Sequence, residues 1–186
     1  MACVSVFCCL FVRVARERIW VNRLEQMHIG KFRHKINVAS EFAKISKDDE
    51  TAADALAAIG HFRQACYFLI QAIEKSIRAK IFTLVNPNLE YFRERNRTHS
   101  VESAVEFLIE IVSTDKLVQG QVSQQISSYV LGKTEYSRLH NDLRYPVYFK
   151  KHDSYSALDL NKNDYDELKK RLSLLRRFLD DLHKVT

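Results

Sequence analysis

The sequence predicts an all-α protein, folded as an antiparallel bundle of four to five helices. The 186 residues include only 4 Gly and 2 Pro, whereas all-β folds and phosphate-cradling loops use glycine at many turns. Apolar residues, 46% of the chain, recur at three- and four-residue steps, which is the period of helices with one buried face. Charged residues contribute 28%, so the composition is that of a globular domain rather than of a disordered chain.

Residues 1–26 are expected to form an N-terminal extension outside the domain. The segment 1–12 is apolar and the arginines follow it, whereas a secretory signal carries its positive charge before the apolar stretch. Twelve residues are also too few to span a bilayer as a helix. An anchor acylated at Cys8 and Cys9 is one interpretation. A start assigned upstream of Met27 is the other, and the sequence favours it.

The bundle is expected to occupy residues 27–186, and its first two helices are predicted at 29–45 and 50–84. The acidic run that begins at Asp48 suits the positive N-terminal end of the second helix. Apolar side chains then recur at helical spacing as far as Leu84. The Asn-Pro-Asn sequence that follows is expected to end this helix.

Two further helices are predicted after a charged loop at 86–99. Ser100 precedes an apolar stripe and can cap the third helix. Gly120 is expected to separate the third helix from the fourth. Pro146 disfavours helical geometry at the residue before it, so the fourth helix should end near Arg144.

The last helix is predicted at 163–184, after a loop at 146–160. Its apolar residues alternate steps of three and four, which is a heptad seam. Such a seam packs within a bundle or against a partner chain, and within one domain the first use is more common. The seam consists of Tyr165, Leu168, Leu172, Leu175, Leu179 and Leu182.

The sequence lacks the motifs of several enzyme classes. No H-E-x-x-H, G-x-S-x-G or G-x-G-x-x-G occurs, and no His/Cys cluster has zinc-binding spacing, which argues against most hydrolases and dehydrogenases. No metal and no cofactor are therefore expected. The formal net charge of +6 permits contact with nucleic acid without requiring it. Cys66 is the one cysteine in the body of the chain and no C-x-x-C occurs, which fits a reducing, cytoplasmic location.

Three segments occur in an order that resembles a known family. The first, at 65–79, is A-C-Y-F-L-I-Q-A-I-E-K-S-I-R-A; the second is Arg97-Thr98-His99-Ser100; the third is Arg144-Tyr145-Pro146. The chain thereby resembles the HEPN domain (higher eukaryotes and prokaryotes nucleotide-binding). In that family a helix with a pattern like A-x-x-x-x-Q-A-x-E-K-x-x-K-A precedes a T-H-S-type turn and an R-Y-P-type signature. The resemblance covers about Phe32 to Lys184.

The resemblance implies a four- or five-helix bundle, commonly a homodimer, that binds nucleotide or RNA phosphate. It also implies a prokaryotic toxin–antitoxin or phage-defence system with a nucleotidyltransferase partner. One large branch of the family are metal-independent ribonucleases, whose signature is Arg, four to six residues, then His. The chemistry is consistent with that signature, because RNA supplies its own 2′-OH nucleophile, histidine can take its proton and arginine can hold the phosphate.

The ribonuclease signature is not convincingly present in this chain. His152 lies eight residues after Arg144, one position too far. Arg93 with His99 is the best of four loose matches, and chance alone gives roughly two for so short a motif. His99 and His140 are therefore candidate bases only if the protein is an enzyme.

A binding cleft is expected around the R-Y-P signature and the basic loop. Its predicted nucleotide- or RNA-binding residues are Arg144, Tyr145, Arg138, Arg93 and Arg97. The alternatives are structural: His99 can cap a turn, Arg144 can bind the last carbonyls of its helix, and Tyr145 can belong to the core. Three functions stay open at this point: phosphate binding, a ribonuclease toxin, and a protein-interaction module that docks a partner on the leucine seam.

Overall fold

The computed structural model describes residues 30–182, so the interpretation of residues 1–26 lies outside the described residues. Residues 30–36 contain no helix or strand, and the helical unit begins at Asn37. Within the described range no helix is long and apolar enough to cross a membrane.

Between residues 37 and 182 the chain forms seven α-helices, one π-helix and one small antiparallel sheet. The elements are α1 (Val38–Ala58), α2 (Phe62–Leu84), α3 (Glu90–Arg95), α4 (Val101–Val112), α5 (Lys116–Gln125), a π-helix (Ile126–Val130), α6 (Tyr136–Arg144), β1 (Val147–Phe149), β2 (Ser154–Ser156) and α7 (Lys162–Asp181). The predicted all-α class is confirmed.

The predicted boundary between the first two helices is wrong. α1 begins after Asn37, whose side chain accepts a hydrogen bond from the N–H of Ser40 at 2.9 Å, and it continues through the acidic run. Asp49 and Glu50 do not cap a helix: Asp49 accepts from Lys75 of α2, and Glu50 binds side chains of α7. The chain turns instead at Gly60, which has φ +83°, a conformation that glycine adopts without steric cost.

The predicted break at Gly120 is also wrong, because this glycine lies inside α5. α5 begins after Asp115, whose carboxylate accepts from the N–H of Leu117 at 2.8 Å. The break comes after the π-helix, where Gly132 has φ +69°. Two other boundaries are confirmed: Ser100 caps α4, and α6 ends at Arg144.

The two predicted loops each contain a short element. α3 lies within 86–99, and β1 pairs with β2 within 146–160, with Tyr148 opposite Tyr155. α7 then begins with a capping box formed by Asn161 and Asp164.

Helix α2 lies at the centre of the bundle, where it packs against α1, α4, α6 and α7. The leucines of the heptad seam are buried within the chain, so the seam is part of the core. Burying such stripes against one another is the main source of stability in a helical domain. The central position of α2 means that each of its buried polar side chains must find a partner inside the protein or face a cavity.

Candidate functional site

One side of α2 presents aromatic and polar side chains toward α6 and the turn before α4. Tyr67, Gln71, Glu74 and Arg78 follow one another at steps of four, three and four residues, so they share one helical face. Their partners are His140 of α6 and residues 96–99 of the turn. We call this region, including Arg144 and Tyr145 at the end of α6, the histidine surface.

His140 is held in a fixed orientation by two residues of α2. Its ring stacks on Tyr67, with centroids 5.1 Å apart and planes 22° apart. Its Nε2 atom lies 2.9 Å from the side-chain nitrogen of Gln71. With the Gln71 amide in this orientation its nitrogen donates, so Nε2 accepts and the proton of the neutral ring is on Nδ1.

The surroundings of His140 favour its neutral form. Burial lowers the pKa of His140, the nearby Arg144 lowers it further, Glu74 opposes the shift, and His99 adds to it. Arg144 and His99 therefore both lie close enough to His140 to affect its charge. At neutral pH we expect an uncharged imidazole here.

Glu74 and Arg78 form a buried ion pair rather than the solvated helix-surface pair that their i,i+4 spacing suggests. Arg78 Nε donates to Glu74 Oε1 at 2.8 Å, and the two side chains are only 4% and 7% exposed. The same guanidinium donates to the carbonyl and side-chain oxygens of Asn96, at 2.9 and 3.1 Å, and to the carbonyl of Thr98. Arg78 thus fixes the turn that precedes α4.

His99 projects from that fixed turn into solvent. Its side chain is 86% exposed, and Nδ1 lies 3.5 Å from Glu74 Oε1. The carboxylate of Glu74 therefore contacts both Arg78 and His99. Ser100, not His99, supplies the helix cap.

A hydrogen-bonded cluster joins the start of α4 to the start of α6. Ser137 Oγ donates to Ser100 Oγ at 2.9 Å, and the N–H of Ser137 donates to Glu102 Oε1 at 3.1 Å. Burial opposes the charged form of Glu102, but hydrogen bonds from Ser137, from backbone groups and from Ser100 outweigh it and lower the pKa of Glu102. The cluster holds the turn carrying His99 against the helix carrying His140.

Arg144 and Tyr145 are both exposed, which differs from the structural alternatives for these residues. The guanidinium carbon of Arg144 lies 5.0 Å from the centroid of the Tyr145 ring. Arg63, not Arg144, binds the end of α6, because its Nε donates to the carbonyl of Leu143 at 2.9 Å. Arg144 also borders a hollow of about 140 Å³ beside Tyr67. Its cation is thus presented next to open space.

The other predicted arginines are less closely associated with His140. Arg138 lies 3.8 Å from Glu135 and 3.7 Å from Asp142, so carboxylates partly neutralise it. Arg93 and Arg97 are exposed on α3 and on the turn after it. Neither of these two arginines is among the groups that shift the pKa of His140, whereas Arg144 is.

Sequence reasoning missed Tyr67 and Gln71, and also the β-hairpin that follows Arg144 and Tyr145. Tyr148 and Tyr155 are exposed there, with ring centroids 5.3 Å apart. Tyr67 and Gln71 lie in the 65–79 segment, but the sequence does not show which side of α2 faces α6. Exposed aromatic rings beside cations are typical of surfaces that stack bases.

Among residues 30–182 no group of three or more His, Cys, Asp or Glu side chains could hold a metal ion. The family model of the HEPN domain matches residues 39–184, which includes every residue of the histidine surface. Comparison with curated proteins and comparison with solved structures gave no match.

Proposed function

Because the chain belongs to the HEPN domain family, we propose that it binds the phosphate of a nucleotide or of RNA at the histidine surface. Membership of the family supports a nucleotide- or RNA-related function in the broad sense. The observation that carries the location is the pairing of a neutral, oriented His140 with the exposed cation of Arg144.

Arg144 has the properties that phosphate recognition requires. Its guanidinium is a planar group of hydrogen-bond donors that matches two phosphate oxygens at once. Tyr145 supports it from one side, and the hollow beside Tyr67 leaves space on another. Stacking of a base on an exposed ring such as Tyr145 contributes about 1–3 kcal/mol.

Fluorescence anisotropy with a labelled single-stranded oligoribonucleotide tests this proposal. Arg144→Gln should weaken binding roughly tenfold, which corresponds to about 1.4 kcal/mol, and should lower the salt dependence by about one phosphate contact. Arg177→Gln is the matched control, because Arg177 is an exposed arginine of α7. Equal affinities for the wild-type chain and both variants would contradict the assignment.

A metal-independent ribonuclease is the second candidate function. The observation that favours it is the presence of two differently placed histidines near Arg144: His99 is exposed beside Glu74, while the surroundings of His140 favour its neutral form. In such a reaction a histidine removes the 2′-OH proton, the 2′-oxygen bonds to phosphorus, and the 5′-oxygen leaves and takes up a proton. Arg144 would stabilise the charge that develops on the phosphate.

Cleavage of a labelled RNA in excess EDTA distinguishes the two candidates. Activity that survives EDTA and is lost in His99→Ala or His140→Ala supports the enzyme. Binding that depends on Arg144, with no cleavage at high protein concentration, supports a binding protein. His34→Ala serves as a control for histidine loss, because His34 lies in the segment that precedes α1.

We also propose the homodimer, the cytoplasmic location and the toxin–antitoxin or phage-defence context with a nucleotidyltransferase partner. These rest on the family resemblance, and light scattering on the purified chain measures the first of them. The leucine seam is buried within the chain, so a partner protein would bind elsewhere than on the seam.

A further inference from the structure

A second cavity lies on the side of α2 that faces away from the histidine surface. It has a volume of about 690 Å³ and is bordered by the first half of α1, the last turns of α2 and the end of α7. Small-molecule sites in proteins typically measure about 300–1,000 Å³. Lys80 lines the cavity and lies nine residues after Gln71, which places it about 180° around the helix. We call this space the Lys80 cavity.

The ammonium group of Lys80 is buried without a hydrogen-bond partner. The residue is only 6% exposed, and within residues 30–182 its Nζ is the one buried side-chain nitrogen or oxygen atom that lacks such a partner. Taking an ammonium group out of water without replacing its hydrogen bonds is costly. Burial accordingly lowers the pKa of Lys80, while Asp180 on α7 acts in the opposite direction.

The same cavity reaches the N-terminus of α1. Asn37, the capping residue, and Ser40 in the first turn both line it. The N–H of Ser40 already donates to the side chain of Asn37, but the N–H groups of the two residues before Ser40 have no partner within the helix, and the helix dipole makes this end positive. A helix N-terminus alone is common, but here the same space is lined by Lys80, a residue whose buried ammonium lacks a hydrogen-bond partner.

The charges that line the cavity favour an anion with more than one negative charge. Lys47, Lys80 and Arg176 contribute three cations, against the single carboxylate of Asp180. Arg176 is engaged by Glu50 of α1 and Lys47 is exposed to solvent, so Lys80 is the buried cation left to pair with a ligand, beside the helix terminus. A phosphate group, with two charges and several acceptor oxygens, matches an ammonium on one side and backbone N–H groups on the other.

We propose that the Lys80 cavity binds a small phosphate monoester, with its phosphate between Lys80 and the first turn of α1. The cavity is far larger than a phosphate ion, so the organic part of the ligand has room inside it. This site is independent of the histidine surface, because its residues lie on the opposite side of α2.

Isothermal titration calorimetry of the full chain with ribose 5-phosphate, and separately with inorganic phosphate, tests the proposal. Tighter binding of the ester than of inorganic phosphate is expected if the organic part enters the cavity. Lys80→Met should weaken ribose 5-phosphate binding at least tenfold. Lys116→Gln is the matched control, because Lys116 is an exposed lysine of α5, and its affinity should equal that of the wild type.

Two further measurements test whether Lys80 serves a ligand and whether this site acts separately from the histidine surface. Asp180→Asn removes the carboxylate that competes with the ligand for Lys80, and it should tighten the binding of ribose 5-phosphate. If Lys80 serves only to pair with Asp180, the variant will lower the Tm and leave the affinity unchanged. That result overturns the proposal. Lys80→Met should leave the affinity for the labelled oligoribonucleotide unchanged, because Lys80 lies outside the histidine surface, so failure at the histidine surface and failure here are distinguishable. Absence of binding to the wild-type chain, or equal binding by Lys80→Met, also overturns it.

In the absence of ligand, Lys80→Met should be more stable than the wild-type chain. Lys80→Met removes a buried charge that lacks a hydrogen-bond partner and keeps most of the side-chain volume, so Tm should rise by several degrees while binding is lost. A fall in Tm together with unchanged binding would show that Lys80 is a structural residue.

Discussion

Replacing Arg78 by Met tests how the histidine surface is held together. The substitution keeps an unbranched stem of similar length but removes the guanidinium that pairs with Glu74. Glu74 then remains as a buried carboxylate, 7% exposed, without its cation. The turn at Asn96–Thr98 loses its hydrogen bonds from the same group.

The expected loss of stability in Arg78→Met follows from the burial of the ion pair and not from the pairing alone. Removing one partner of a buried ion pair typically destabilises a protein by about 3–5 kcal/mol, because the other charge stays buried and unpaired. An exposed i,i+4 pair contributes only about 0–1 kcal/mol. Lys162 and Asp166 form such a pair, 2.5 Å apart and well exposed, so Lys162→Met is the matched control.

Urea unfolding followed by circular dichroism measures both effects, and urea is preferred because guanidinium chloride would screen the ion pairs. A double-mutant cycle with Glu74→Gln completes the experiment. Arg78→Met and Glu74→Gln each leave one buried charge without its partner. The double variant should therefore lose about 0.5–3 kcal/mol less free energy of unfolding than the sum of the two single losses.

Two results would refute this reasoning. If Arg78→Met costs no more than Lys162→Met, the pair is not buried in solution. If the cycle is additive, Glu74 and Arg78 do not interact directly. A third measurement links stability to the site: the imidazole of His99 should change its NMR chemical shifts in Arg78→Met, because the turn that carries it is released.

Two more predictions concern local backbone strain and pH. Gly132→Ala and Gly60→Ala should each lower the Tm, because both glycines have positive φ, which costs an L-residue about 1–2 kcal/mol. At Gly132 the new Cβ also meets the flexible guanidinium end of Arg171, which can move aside, so the two losses should be similar; an unchanged Tm in either variant would contradict the positive φ. The lowered pKa of His140 means that the unfolded chain binds more protons than the folded one below the ordinary value of 6.5, so stability should fall as pH decreases through that value toward the folded pKa. The free energy of unfolding of His140→Gln, measured by urea titrations at several pH values, should fall less steeply over this range. An identical pH dependence for the variant and the wild type would be evidence against the lowered pKa of His140.

The sequence predicted the boundaries that depend on local chemistry. Ser100 caps α4 because its hydroxyl accepts from the N–H of Ser103 three residues on, and the helix before Pro146 ends at Arg144 because proline constrains the residue before it. Both causes act within a few residues, so a sequence pattern is sufficient to find them.

The wrong boundaries depend on partners that are distant in the chain. Asp49 resembles the start of a helix, yet it accepts a hydrogen bond from Lys75, 26 residues away. Gly120 and Gly60 are the same residue type, and only the second has a positive φ. The packing of the helices decides which acidic side chain binds across the bundle and at which glycine the chain turns.

The residues of the candidate site also fall into a group that the sequence predicts and a group that depends on packing. Motif spacing brought Arg144 and His140 together, because four residues place them on one side of a single helix. The roles of Tyr67 and Gln71 could not be predicted, since they depend on the rotation of α2 relative to α6.

Two cations of α2 are buried close together in the bundle. Arg78 and Lys80 are 4% and 6% exposed and two residues apart, so desolvation acts on both. Arg78 binds Glu74, Asn96 and Thr98, which offset that cost, whereas Lys80 Nζ has no hydrogen-bond partner among the described residues. Packing of the helices therefore satisfies Arg78 and leaves the ammonium of Lys80 unsatisfied. An anion in the cavity beside Lys80 would supply the missing partner, which is why the stability of Lys80→Met and its affinity for a phosphate ester should change in opposite directions.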